Sequence, residues 1–143
     1  MPYCTLADIT DRIPEENLIQ LTDDENEGAV NEDRVTAAIG DADELIDGYL
    51  RGRYTLPLDP IPALITKLSI DLAVFNLYSR KLELVMPEAM SDRYKNAVKV
   101  LEHIQSGKIS LGTEAGNTPE PGEYKTNKTA SDRMFPKTEL EKY

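Results

Sequence analysis

The sequence predicts an all-α fold, a small bundle of about four to five helices with an extended C-terminal tail. Three observations carry that expectation. Apolar residues between positions 31 and 107 recur three and four apart, the period of one helical face. Prolines stand where helices begin or end. Beyond Leu111 the composition shifts to Gly, Pro, Thr, Glu and Lys, which on its own cannot bury enough apolar area to offset its ordering entropy. With 143 residues, 40% of them hydrophobic, the chain suits one domain with a modest core. The expected boundaries are a helical domain over 1–111 and a tail over 112–143.

Thr5 followed by Asp8 forms a capping-box pattern, with Asp in place of Glu, so a short helix is expected over 6–12. Pro14 suits the first turn of a second, PEENLIQLT, whose Glu15 and Glu16 complement the helix N-terminal dipole. DDENEGAVNED has no apolar period and reads as a solvated acidic loop. From Asn31, the residues Val35, Ala38, Ile39, Ala42, Leu45, Ile46, Tyr49 and Leu50 make one stripe of nearly five turns. Gly40 and Gly48 interrupt it at about 1 kcal/mol each against alanine, leaving space for a close neighbour. Gly52 is the expected terminator.

Pro57, Pro60 and Pro62 then force an extended corner, TLPLDPIPALI. Around it, Tyr49 and Leu50 are expected to pack, Arg53 to complement the C-terminus of its own helix, and Tyr54 to open the turn. The next helix, ALITKLSIDLAVFNLYSRKLEL, is apolar nearly all round and belongs at the centre of a bundle or an oligomer. Pro87 starts the last helix, with Met90, Tyr94, Ala97, Val98, Leu101 and Ile104 on one face and Gly107 as its cap. The tail adds spaced anchors, Tyr124, Met134, Phe135, Leu140 and Tyr143, of a kind that a simple linker lacks.

The net charge of −10 is uneven. Residues 1–47 hold 14 acids against two bases, residues 48–111 six against nine, and residues 112–143 six against five. So acidic a chain does not bind DNA through its average field. Its polarity suggests acidic and basic faces that meet between subunits. No apolar run approaches the roughly 18 to 20 residues of a membrane span. MPYCTLADITDR places acids where a signal peptide carries bases and an apolar core, so a cytoplasmic start is expected.

Tests for chemistry find little. Aligning Asp23 with the first position of a calcium loop places Gly28 correctly but sets Arg34 where the bidentate Glu belongs. Asp41, Asp43, Glu44 and Asp47 contain helical pairs that in principle share a proton or bind a hard cation. No histidine accompanies them, and a solvated face is the plain reading. Cys4 reads as a structural thiol, and His103 as a partly exposed structural histidine. G-x-S-x-G, G-x-G-x-x-G, HExxH and the phosphate-cradling Walker loop are all absent. No catalytic, cofactor-binding or metal-ligating residue is therefore assigned. Arg51 and Arg53, with Tyr49 and Tyr54, are either phosphate-and-base contacts or parts of a rigid corner, and the patterning favours the corner.

In order and spacing, AIGDADELIDGYLRGRY, TLPLDPIPALI, LSIDLAVFNLYSRK and PEAMSDRYKNAVKVLEHIQSGKISLG resemble the Mu-like phage head–tail connector proteins, also called the head–tail adaptor or neck family. The resemblance covers about residues 3 to 112. It implies an all-α subunit, without catalysis or cofactor, that assembles into a ring beneath the portal, often twelvefold. Such a ring extends the DNA channel, lets DNA pass without specific binding, and meets the next neck or tail protein. The implied location is the virion neck, after synthesis in the host cytoplasm. The structural corner would comprise Tyr49, Leu50, Arg53, Tyr54, Pro57, Pro60 and Pro62. Candidate subunit or portal contacts are Arg51, Arg53 and the five tail anchors, and the candidate channel-lining acids are Asp41, Asp43, Glu44 and Asp47. Two other classes stay open: a small acidic phage protein that binds a host protein or mimics DNA, and a metal-dependent enzyme using the acidic clusters.

Overall fold

A computed structural model describes residues 2–112 and contains five helices in chain order, with no strand among those residues. Helix α1, Leu6–Thr10, starts on a complete capping box. Thr5 Oγ1 accepts from the Asp8 N–H at 3.4 Å, and the Asp8 carboxylate accepts from the Thr5 N–H at 2.8 Å. The helix is shorter than the 6–12 expected, closing at Asp11. Helix α2, Glu15–Thr22, is capped by Pro14, which stands one place before the first turn. Both short helices lie against the long ones and bury Ile9, Leu18 and Leu21 completely or nearly so.

Helix α3, Glu32–Leu50, begins where Asn31 Oδ1 accepts the Arg34 N–H at 3.1 Å. Its expected stripe is buried at Val35, Ala38, Ile39, Ala42, Ile46 and Leu50, whereas Leu45 is exposed. Nothing lies within 4 Å of a side chain built at Gly40 or Gly48, so no part of the described subunit uses the space they leave. Gly52 does not stop the helix by a left-handed turn. The chain tightens instead, with the N–H groups of Arg53 and Tyr54 both donating to the Leu50 carbonyl at 2.9 Å.

Helix α4, Ala63–Arg80, runs antiparallel to α3 and packs against each of the other four helices. Its apolar surface has a cause in this position: Ile65, Leu68, Leu72, Ala73 and Leu77 are buried toward different neighbours. Ser69 and Asp71 are buried as well, and Asp71 is held by Lys67 one turn earlier at 3.1 Å. Helix α5, Glu88–Gln105, returns alongside α4, with the Phe75 and Tyr94 rings stacked at 3.9 Å between centroids. It ends in a Schellman turn. Gly107 takes φ +82°, its N–H donates to the Ile104 carbonyl at 3.1 Å, and the Lys108 N–H donates to His103 at 2.9 Å.

The antiparallel order gives the bundle two ends. One holds residues 23–31 and the α4–α5 connection. The other holds the 51–62 corner and the exit of α5.

Candidate interaction surfaces

At the corner end, Leu50, Tyr54 and Leu58 are buried in the core, and Tyr49, Leu56 and Ile61 pack partly against it. Pro57 and Pro60 are exposed and follow cis peptide bonds, and Pro62 caps α4. The Tyr54 hydroxyl accepts the Leu111 N–H at 3.1 Å, so the corner holds the point where the chain leaves α5. Arg53 does not serve its own helix as expected. Its guanidinium lies under Gly107 at the end of α5, so close that an added Cβ there would meet a guanidinium nitrogen at 2.8 Å. Arg53 Nε is buried without a hydrogen-bond partner. Among the described residues Arg51, Arg53 and Lys108 enter no ion pair, and Arg51 is exposed.

The four α3 acids divide into two pairs. Asp41 and Glu44 are exposed. Asp43 accepts the Tyr3 N–H at 3.0 Å and the Ser69 hydroxyl at 2.8 Å, and Asp47 accepts the Tyr3 phenol. The plain reading of one solvated face therefore fails for Asp43 and Asp47, which clamp the N-terminal segment onto α3. Burial raises the Asp43 pKa, against the lowering effects of Ser69 and the Tyr3 N–H, while burial and Asp47 raise that of Tyr3. Ser69 Oγ also lies 3.2 Å from Cys4 Sγ. A hydroxyl has one proton, and the closer, charged carboxylate takes it; the thiol then donates back to Ser69. Burial pushes the thiol up to about 11, so Cys4 stays protonated and unreactive. Asp43, Glu44 and Asp47, with Leu6, Ile39 and Gly40, line an open groove of about 520 Å³.

The loop read as solvated and acidic is instead tied down by bases. Asp23 accepts the N–H groups of Glu27 at 2.9 Å and Gly28 at 2.8 Å. Asp24 pairs with Arg80 and Lys81, each at 2.7 Å, and these cations hold its pKa down to about 2. Arg34 grips both Glu25 oxygens, at 2.6 and 2.7 Å, and its NH1 also donates to the Thr22 carbonyl. Arg80 donates to the Leu21 carbonyl at 2.7 Å. The network closes the open C-terminus of α2 and fastens it to α3 and α4. Part of the charge polarity expected to act between subunits is thus satisfied within one.

Beside this network the α4–α5 connection projects Leu82 and Val85, 97% and 90% exposed. The sequence reads the apolar helix as continuing through KLEL, but α4 stops at Arg80, so Leu82 lies in the projecting connection rather than in the bundle core. His103 is exposed, and its carbonyl rather than its ring serves the α5 cap. Among the described residues no three His, Cys, Asp or Glu side chains converge to hold a metal ion, and no helix is long and apolar enough to cross a membrane. Tyr124, Met134, Phe135, Leu140 and Tyr143 lie outside the described residues.

Residues 3–128 match the family model described as Bacteriophage Mu, Gp36, which reaches beyond the motifs recognised up to residue 112. Gene product J of Escherichia phage Mu is 31% identical over 122 residues, covering 85% of this chain and 84% of that protein. The Mu-like prophage FluMu protein gp36 of Haemophilus influenzae is 36% identical over 84 residues, 59% of this chain and 57% of that protein.

Proposed function

The chain belongs to the bacteriophage Mu Gp36 family, and on that premise we propose that it is a structural virion protein, the head–tail connector. Copies form a twelvefold ring beneath the portal, which extends the DNA channel and joins the capsid to the next neck or tail protein. The role is mechanical, without catalysis or cofactor, and places the protein at the virion neck. The observation that carries the reading is the two-ended construction of the subunit. A rigid antiparallel bundle, locked by a buried α4, presents an acidic end with an apolar projection and a basic end beside the tail exit. Chemically different ends suit a part that docks repeatedly in one orientation.

DNA passes such a ring without adhering if the wall lacks cations that neutralise phosphates. Asp41 and Glu44 supply free negative charge for that wall. Asp43 and Asp47 contribute charge from positions already occupied by the N-terminal clamp. Electron microscopy of the purified full chain, alone and with the portal protein, tests the proposal. Rings seated on the portal are expected; a portal vertex left bare by excess protein would overturn it. A second reading, a small acidic protein that binds a host protein in place of DNA, draws on the net charge of −10. It predicts a monomer or dimer that ignores the portal.

A further inference from the structure

We propose that the projecting α4–α5 connection of one copy docks on the proline corner of the next, with Leu82 and Val85 as the apolar contact and charge complementarity setting the direction. The assembly reading above supplies the occupant, a second copy of this chain. The docking surfaces come from the subunit itself.

The acidic end holds eight acids against three cations within 23–34 and 80–88. All three cations, Arg34, Arg80 and Lys81, are already engaged by Asp24 and Glu25. Glu27, Glu32, Asp33, Glu83 and Glu88 are exposed and enter no ion pair among the described residues. The acid excess at the end that projects Leu82 and Val85 is therefore uncompensated.

The opposite end has the reverse character. Residues 51–62 and 106–112 hold Arg51, Arg53 and Lys108 against one acid, Asp59. None of these three cations is paired among the described residues, and Arg53 Nε is buried without a partner. Exposed Pro57 and Pro60, beside the partly buried Leu56 and Ile61, offer an apolar counterpart.

The 18 residues of α4 separate the two ends by about 27 Å, so one subunit cannot satisfy its own surfaces. A contact between unlike surfaces is head-to-tail, and it closes into a ring when the rotation between copies permits.

Sedimentation velocity of the full chain from micromolar to millimolar concentration tests the contact. The parent protein is expected to self-associate, less so at high salt. Leu82→Ser with Val85→Ser should weaken association at least about tenfold while helicity and melting stay unchanged, because both side chains are exposed. Glu83→Lys and Arg51→Glu should each weaken it, and mixing these two variants should restore it, since each supplies the charge the other lacks. A parent chain monomeric throughout, or association untouched by the Leu82 and Val85 changes, would overturn the contact. Portal capture of the same variants, followed by electron microscopy, separates the two ideas. Rings that persist on the portal with the serine variant leave the connector reading standing and remove only this interface.

Discussion

The Leu111 N–H donates to the Tyr54 hydroxyl across 57 residues of sequence, binding the corner between α3 and α4 to the exit of α5. Tyr54 is 6% exposed, so its ring is a core element and its hydroxyl the only polar part turned to that exit. Tyr54→Phe should keep the packing and lose about 1 kcal/mol with the hydrogen bond. Tyr54→Ala should cost about 3 to 5 kcal/mol by opening a cavity. Urea unfolding of the two variants checks this; equal losses would mean that the hydroxyl, not the ring, holds the corner.

Gly107 and Gly40 should respond oppositely to alanine. Gly107 has φ +82° and meets the Arg53 guanidinium, so Gly107→Ala should destabilise by about 1 to 2 kcal/mol from the backbone alone, and further from the clash. Adding Arg53→Ala should relieve the clash and leave the backbone strain, a coupling readable from a double-mutant cycle. Gly40 lies within α3 in open space, and Gly40→Ala should stabilise the isolated subunit by roughly 0.5 to 1 kcal/mol. Thermal or urea unfolding gives both signs.

The long helices are legible because their burial follows local periodicity: the α3 stripe is buried at six of the expected positions, and Gly107 caps where the spacing predicts. What escaped depends on partners distant in sequence. Asp24 reads as solvated until α4 brings Arg80 and Lys81 to it, and Asp43 reads as one of four equivalent acids until Tyr3 and Ser69 reach it. Helical spacing gives a residue's direction, but not which chain will cross that direction. Arg53 departs from its expected role for the same reason: its neighbour, Gly107, is set by the docking of α5 on α3. The interaction surfaces are less legible still, because Leu82 and Arg51 acquire meaning only from opposite ends of a folded subunit.

The Asp24 network should contribute to the acid limb of stability. With Arg80 and Lys81 holding its folded pKa near 2, Asp24 contributes stability that is present above the ordinary carboxylate pKa of about 4 and lost as pH falls toward 2. Asp24→Asn should flatten that part of the profile. Asp43 acts in the opposite sense: its raised pKa favours the protonated folded form, so its contribution is present at low pH and lost as pH rises through the folded value. Urea midpoints at several pH values for the parent and Asp24→Asn measure the difference; parallel profiles would refute the assignment.

Cys4 reports on the N-terminal clamp. In the parent it is 2% exposed with its pKa raised to about 11, and a thiol reagent at neutral pH should react slowly. Ser69→Ala removes the hydroxyl between Cys4 and Asp43, and Asp47→Asn weakens the hold on the Tyr3 phenol. Each should speed labelling by increasing the open population of residues 2–5, with little change in overall helicity. Labelling as slow as in the parent would mean that core packing of Tyr3 and Ile9, rather than the polar contacts, keeps the segment closed.

Removal of residues 113–143 should separate folding from attachment. The described subunit ends its core with Leu111 bound to Tyr54, and none of its internal contacts named above requires a later residue. The truncated chain is therefore expected to keep its helical circular dichroism and its unfolding midpoint. The deleted stretch carries Tyr124, Met134, Phe135, Leu140 and Tyr143, apolar and aromatic anchors on an otherwise polar chain, spaced for an extended run across another protein. Under the connector reading they grip the portal, so truncation should abolish portal binding in a pull-down or by microscopy. If the truncated chain bound the portal as tightly as the full one, the grip would have to lie in the bundle, with Arg51 and Arg53 at the exposed corner as the contacts to change next.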